Sequence, residues 1–510
     1  MRWTIVSRKK IPLEYPLVIW SVVEEDGDKK KKPRVRLLAA DMLDAAGTSA
    51  LAHAVGSGAI SGRLGGSETV LVASAGSAPR VVLVCGVGSP KAFNRTAMER
   101  AFAACANQLQ GKRYERAAIV VPREWQRVAG GPNALGVSIA KAMRTGMYRF
   151  TRYQSEAKPV VSLKDVALVV DGASAALTAG LREGEILAES VNHVRDWSNM
   201  PANDATPTFL AEQARGIAKE FPKIKCTVFD KAKIQKEGMG GIWGVAKGTR
   251  EHPTFIIMEY FGARSKSDAP LVLAGKAVTF DSGGISIKPS ERMEEMKYDM
   301  AGGAAVIAAL RAIAALKLSV NVVGLVPATE NLPGGEAYKP GDILRTMSGK
   351  TIEVITTDAE GRVILADALH YAKRYKPAAV VDIATLTGAV SIALGHSVAA
   401  LLGNDQGIVK RLKAAGETSG ERVWELPLLD EYKEYTKSDV ADLKNITGRQ
   451  GGVISGAAFL EAFISPEKWA HLDIGATAYT GEAKPWQPKG ATGWGVHLFV
   501  ELAKLFVKRK

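Results

Sequence analysis

LVLAGKAVTFDSGGISIKP (271–289) reads as a buried strand that runs out into a polar, glycine-rich turn, and this junction decides the fold. Its first half is apolar apart from Lys276. Its second half opens on Asp281, passes through Ser282-Gly283-Gly284, where backbone can approach a ligand closely, and reaches Lys288. Open α/β sheets keep their ligands at such strand ends. Two further segments have the same character. MKYDMAGG (296–303) sets Asp299 before a run of small residues, AGGAAVIAAL, that begins a tightly packed helix. TTDAEGR (356–362) follows the apolar IEVI and precedes a helix, VILADALHYAKRY. On extended backbone Asp358 and Glu360 project to the same side, and Arg362, two residues on, joins them.

Taken singly, each segment has a bland reading. Lys276 and Asp281 would form an ion pair at a strand end, and Asp299 or one acid of TTDAEGR would cap a helix. Taken together, they gather Asp281, Asp299, Asp358 and Glu360 with Lys276, Lys288 and Arg362. Four carboxylates in one pocket repel one another and are costly to desolvate unless cations neutralise them. Two divalent metals sharing bridging carboxylates meet that need and activate a bound water. The surplus of oxygen donors suits hard or borderline ions, and a lysine beside cations can ligate as the neutral amine. None of the seven histidines falls in these segments, and neither HExxH nor GxSxG occurs. The joint pattern reads as a dinuclear metallohydrolase.

Outward from these motifs, strands and helical stretches alternate. Strands are expected at 16–24, 81–86, 117–121 and 166–170 with a helix at 96–109, then strands at 225–229, 254–260, 271–278, 320–326, 378–383 and 396–402 with helices at 207–220, 302–316, 363–375 and 406–418. The fold class is α/β: a smaller N-terminal α/β domain (1–178), a linker helix (179–200) that meets the turn-rich NMPANDATP, and a larger catalytic domain (201–510) with a mixed central sheet flanked by helices. A chain of 510 residues is too long for one core, which rarely exceeds about 250–300 residues. GVGSP after the 81–86 strand lacks a phosphate-loop fingerprint and reads as a plain turn.

Bulk properties narrow the function further. No uncharged apolar run reaches about 18 residues, so no membrane span is expected. The N-terminus mixes acids with bases and resembles no secretory or transit leader, which points to the cytoplasm. Three scattered cysteines, Cys85, Cys105 and Cys226, argue against a disulfide framework or a zinc module. The net charge of +14 is uneven: residues 1–180 hold 26 Lys and Arg against 14 Asp and Glu, the remainder 41 against 39. KKKK (29–32) contributes to this excess. A basic first domain raises DNA binding as an alternative role, although no nucleic-acid module accompanies the charge.

GKAVTFDSGGISIKP, MKYDMAGG, PATENLPGGEAYKPGD (327–342), TTDAEGR and DIATLTGA (382–389) together resemble the leucyl aminopeptidase (cytosol aminopeptidase) family, peptidase family M17, as do NMPANDATP and VADLKNITGRQGG (440–452). The first domain resembles it only in size, position and α/β character. The resemblance implies a metal-dependent aminopeptidase that releases N-terminal residues, with a leucine-like preference, from peptides with a free N-terminus. It implies that Lys276, Asp281, Asp299 and Glu360 bind one metal and Asp281, Asp358 and Glu360 the other. These would be zinc or manganese, with magnesium or cobalt able to exchange. It further implies that Lys288 acts on the substrate carbonyl and that Arg362 holds a bicarbonate acting as general base. Met296, Thr385, Leu386 and Gly388 would line the side-chain pocket, and the usual assembly is a homohexamer. The chain departs from the family pattern at Thr356, where asparagine is usual, at Ala277, and at DIGA (473–476).

Overall fold

The computed structural model describes residues 1–8, 11, 14–25, 34–42, 45–74, 77–110, 112–156, 163–448 and 450–508. The lysine run 29–32 lies outside them. The chain forms two compact units, Met1–Asn192 with Gly481–Lys489, and His193–Thr480 with Gly490–Lys510.

In the first unit the strands are β1 (Arg2–Ser7), β2 (Leu17–Glu25), β3 (Arg34–Leu37), β4 (Ser67–Ser74), β5 (Ser77–Gly86), β6 (Arg116–Val120) and β7 (Asp165–Val170). They form a sheet of order β1-β7-β6-β2-β5-β4, with β3 paired to β2. Its central pairings are parallel, whereas β3 and β4 run antiparallel to their neighbours. The helices are α1 (Ala45–Gly56), α2 (Arg95–Gln108), α3 (Trp125–Ala129), α4 (Pro132–Gly146) and α5 (Ala175–Asn199), whose residues from His193 onward belong to the second unit. Cys85 on β5 and Cys105 on α2 come together as a disulfide, with Cα atoms 6.1 Å apart. This corrects the expectation drawn from the odd, scattered cysteines: the connection after β5 folds α2 back over that strand, which spacing alone does not reveal. The short segment Gly481–Lys489 joins this unit through Trp486, which lies under the Arg100 guanidinium, and through the Pro485 carbonyl, which accepts from Asn107.

The second unit carries a mixed sheet of order β17-β16-β19-β15-β10-β12-β9-β8, with β11 also paired to β12. Its strands are β8 (Ile224–Phe229), β9 (Thr254–Phe261), β10 (Leu271–Gly275), β11 (Ala277–Asp281), β12 (Asn321–Asn331), β15 (Ala379–Ala384), β16 (Ala399–Gly403), β17 (Val423–Glu425) and β19 (Trp469–Asp473); β13 (Ile343–Arg345), β14 (Thr351–Glu353) and β18 (Leu443–Lys444) form a small separate sheet. The helices are α6 (Pro207–Glu220), α7 (Lys231–Lys236), α8 (Gly240–Ala246), α9 (Ala301–Ala315), α10 (Glu360–Ala372), α11 (Ala389–Leu394), α12 (Gln406–Ser419), α13 (Asp430–Glu434), α14 (Gly452–Ile464) and α15 (Val496–Lys504). All eleven residues of β12 are buried, as expected of a strand covered on both faces. Val323 and Leu325 join the apolar cluster containing α10, while Gly324 and Val326 meet α9. The stretch Met293–Ala315 is long and apolar enough to cross a membrane, yet it is mostly buried inside this unit as core.

The strand expected at 271–278 is interrupted at Lys276. β10 pairs with both β12 and β15, whereas β11 keeps only β12. The Lys276 carbonyl instead accepts from Gly303 N–H at 2.7 Å, at the start of α9. That approach needs small residues: a Cβ on Gly302 would lie 2.3 Å from the Ile383 carbonyl, and one on Gly275 would lie 2.5 Å from the Gly302 carbonyl.

Glycines make a second close seam between α4 and α5. A Cβ on Gly180 would sit 2.0 Å from the Asn133 carbonyl oxygen, and one on Gly184 would sit 2.6 Å from that of Val137. Gly180→Val should therefore destabilise the protein by about 2–4 kcal/mol in denaturant titrations. Gly216→Ala in α6, where a Cβ meets nothing within 4 Å, should be neutral or stabilising by up to about 1 kcal/mol.

Candidate metal centre and catalytic pocket

The break at Lys276 sends its side chain to the strand ends, where the three motif segments meet. Lys276 Nζ lies 2.7 Å from Asp299 Oδ2 and 2.9 Å from Glu360 Oε1, and donates to the Thr385 carbonyl at 3.0 Å. Lys288 Nζ lies 2.7 Å from Asp281 Oδ2 and also pairs with Asp358 Oδ1. Oxygens of Asp281, Asp358 and Glu360 all fall within 4.8 Å of one another. The seven charged residues border one cavity of about 210 Å³. Met296, Tyr298, Thr385, Leu386, Thr387, Gly388 and Gly475 also line it.

TTDAEGR is not extended, which corrects the sequence expectation. Thr357–Ala359 form a 3-10 turn that passes directly into α10 at Glu360. Asp358 and Glu360 converge because the chain turns between them, and Arg362 lies inside the first turn of the helix. Likewise Asp299 does not cap α9; it ends the 3-10 turn Met293–Tyr298, and its carboxylate accepts the Thr385 hydroxyl at 2.6 Å.

A polar frame holds these acids. Asn331, fully buried at the end of β12, donates to Asp281 Oδ1 at 2.8 Å, to the Thr357 carbonyl at 2.9 Å and to Glu360 Oε2 at 3.4 Å. Tyr338 donates to the same Thr357 carbonyl at 2.7 Å. Thr356 accepts the Asp358 N–H at 3.2 Å, a cap that needs only a side-chain oxygen, and Asn445 donates to the Thr356 carbonyl at 2.6 Å. Of these partners only Thr356 is singled out by the sequence; Asn331, Tyr338 and Asn445 are not. Asn331 stood inside the quoted PATEN run, but nothing local marks which of its residues turns inward.

Burial sets the electrostatics. It pushes the Asp299 carboxyl up to about 8 in spite of Lys276, and Asp358 up to about 6 in spite of Lys288. Asp281 is also raised, by burial and by Glu360. Glu360 alone is held low: burial opposes its charge, but Lys276 and Lys288 outweigh it. Burial also disfavours both ammonium groups, and the carboxylates around them reverse that and raise them. Arg362 is brought down to about 10 by burial, with Glu360 and Asp473 opposing. Among the described residues no carboxylate lies at ion-pair distance from its guanidinium, and its Nε has no hydrogen-bond partner. His471 is fully buried with Nδ1 2.6 Å from Asp382.

The donor set fits divalent metals. The carboxylates converge from three segments, with Asp281, Asp358 and Glu360 offering oxygens within 4.8 Å of one another and Asp299 joined to them through Lys276. A cation taken up here must displace protons from Lys276 and Asp299. Calorimetric titration of manganese into chelator-treated protein at pH 7, in buffers of differing ionisation enthalpy, should report release of about two protons per subunit. The number should fall as pH rises through 8, where Asp299 is already ionised. Heats independent of the buffer would contradict these protonation states.

Residues 192–500 match the catalytic domain of the cytosol aminopeptidase family, and residues 26–157 match its N-terminal domain. A probable cytosol aminopeptidase of Geobacter sulfurreducens is 48% identical over 463 residues, covering 90% of this chain and 92% of that protein. One from Roseiflexus castenholzii is 46% identical over 441 residues, covering 85% and 89%. Among solved structures, the bottromycin maturation enzyme BotP in complex with Mn superposes with a TM-score of 0.81 at 32% identity, covering 97% of this chain and 100% of that one.

Proposed function

The chain belongs to the cytosol aminopeptidase family and is a metal-dependent aminopeptidase, and from that premise we propose the following division of labour among its site residues. Lys276, Asp281, Asp299 and Glu360 hold one divalent ion, and Asp281, Asp358 and Glu360 the other. When bound, the pair supplies Lewis acidity, a water of lowered pKa and a seat for the free α-amine of the substrate. The observation that carries this reading is the convergence of Asp281, Asp358 and Glu360 from two separate chain segments onto one buried locus.

Lys288 is the part-exposed cation of the site, at 22% side-chain exposure against 4% for Lys276. It faces the cavity and donates to the peptide carbonyl oxygen as negative charge develops there. Arg362, buried with no carboxylate at ion-pair distance among the described residues, would hold a small oxyanion such as bicarbonate, which would supply a base for the attacking water. Met296, Leu386 and Gly388, with Thr385, form the wall for the first side chain, and its apolar character favours leucine-like residues. Zinc and manganese are the proposed ions, with magnesium or cobalt able to replace one of them; the borderline set of one amine and several carboxylates supports this. A cytoplasmic homohexamer completes the proposal, supported by the family resemblance. The relatives reported above lend no support to the DNA-binding alternative.

Chelation should abolish hydrolysis of aminoacyl-amidomethylcoumarins, and zinc, manganese or cobalt should restore it. N-acetylated substrates should stay intact throughout. Lys288→Ala and Arg362→Ala should each lower kcat by about 10²–10³ while circular dichroism remains that of the wild type. Near-wild-type turnover in either variant would remove that residue from the mechanism.

A further inference from the structure

Asp358 is the least anchored of the four acids in the cavity. Asp281 and Glu360 each meet a lysine and Asn331, and Asp299 meets Lys276 and the Thr385 hydroxyl. Among the described residues the Asp358 carboxylate meets only Lys288, and its side chain is 37% exposed. Its direction therefore depends on the backbone that carries it. Asp358 has φ −83° and ψ 15°, a sparsely populated conformation, at the kink where the 3-10 turn passes into α10. Helical hydrogen bonding does not hold it there; its neighbours must.

The peptide unit joining Thr357 to Asp358 is gripped at both ends. Its N–H donates to the Thr356 hydroxyl oxygen at 3.2 Å. Its carbonyl accepts from Asn331 at 2.9 Å and from the Tyr338 hydroxyl at 2.7 Å. Asn331 also serves Asp281 and Glu360, so it acts on the whole cluster. Tyr338 has no such second task, because among the described residues this carbonyl is its one hydrogen-bond partner. Its ring is fixed in the apolar cluster that contains Leu344, Val354 and Val363, and it does not border the cavity. Burial, reinforced by Glu360, Asp281 and Asp358, raises the phenol well above its ordinary value and keeps it a donor.

We propose that Tyr338 is a positioning residue for one of the two metal sites: by locking the Thr357–Asp358 peptide it aims the Asp358 carboxylate at the locus shared with Asp281 and Glu360. This role rests on the reading that those three acids hold one ion and that Lys276, Asp281, Asp299 and Glu360 hold the other. Asp358 belongs to the first set alone. The influence of Tyr338 accordingly falls on one ion and spares its neighbour. Partners standing behind a metal ligand are commonly worth about 10–100-fold in metal affinity.

The test titrates manganese into the chelator-treated full-length enzyme, counting bound ions after equilibrium dialysis and distinguishing paired from single ions by electron paramagnetic resonance. Tyr338→Phe, which keeps the ring, and Thr356→Val, which frees the other end of the same peptide, are compared with the wild type. Asp358→Asn, which weakens its own ion directly, identifies which of the two is affected. In Tyr338→Phe that ion should bind about 10–100-fold more weakly while the other is unchanged. Manganese levels that pair the ions in the wild type should then leave single ions in the variant. Raising manganese should restore both the pair and the kcat for leucyl-amidomethylcoumarin. Thr356→Val should weaken the same ion by about three- to tenfold, and it carries the test if Tyr338→Phe does not fold. Equal weakening of both ions, or of neither, would overturn the positioning role, as would a kcat loss that persists once the ions are paired. A wild type that never binds a pair of ions would instead overturn the two-metal reading beneath it.

Discussion

Asp281, Asp299 and Glu360 are each less than a tenth exposed and lie close enough to share the same lysines. Their mutual repulsion in a medium of low polarisability is the constraint that the surrounding structure answers. Lys276 is placed between Asp299 and Glu360, and Lys288 between Asp281 and Asp358, so that each cation serves two acids from different segments. The interrupted strand follows from this. The Lys276 N–H still donates to the Ile383 carbonyl at 3.1 Å, but had the pairing of β10 with β15 continued past it, the Lys276 carbonyl would have stayed in the ladder, with no opening for α9. Satisfying the Lys276 carbonyl from Gly303 in turn requires glycine at 302 and 303. The charge pattern and the run of small residues are thus two sides of one packing solution.

The uncharged partners have a different role. Asn331, Tyr338, Thr357 and Asn445 neither carry charge nor face solvent; they keep a short 3-10 turn from relaxing. Thr357 is the hinge of this arrangement, since its hydroxyl donates to Gly283 while receiving the Ser286 N–H, and its carbonyl takes two side-chain donors. The Gly-rich turn after β11 and the turn before α10 are thereby one hydrogen-bonded body. Thr356 is accommodated because its cap uses only an acceptor oxygen, while the amide that grips its carbonyl comes from Asn445.

Much of this was legible in the sequence, and the reasons are local. Strands such as Ile224–Phe229 and Thr254–Phe261 and helices such as Pro207–Glu220 carry their own apolar periodicity and caps, and they fall within a residue or two of expectation. The acids were legible because charge in apolar, glycine-rich surroundings demands an explanation. What escaped was whatever depends on distant chain. The extended geometry assumed for TTDAEGR failed because a single-segment argument cannot see Asn331 and Asn445 bending it. The partnership of Cys85 with Cys105, and the return of Gly481–Lys489 to the first unit, likewise depend on tertiary packing.

The apolar stretch Met293–Ala315 also has consequences during synthesis. In the finished fold α9 is wrapped by β10, β12 and α15, and all but the last of its residues are buried. On the ribosome β10 is already made, but β12 and α15 lie downstream and do not yet exist for it. For the time needed to make about two hundred further residues, at roughly 5–20 residues per second, the segment is a sticky, span-like ribbon. Its nearest protection is Arg311, the single charge within the helix, together with the acids and lysine of Met293–Tyr298 just ahead of it. These charges act as gatekeepers against aggregation and mistaken insertion, a role apart from the chemistry they border.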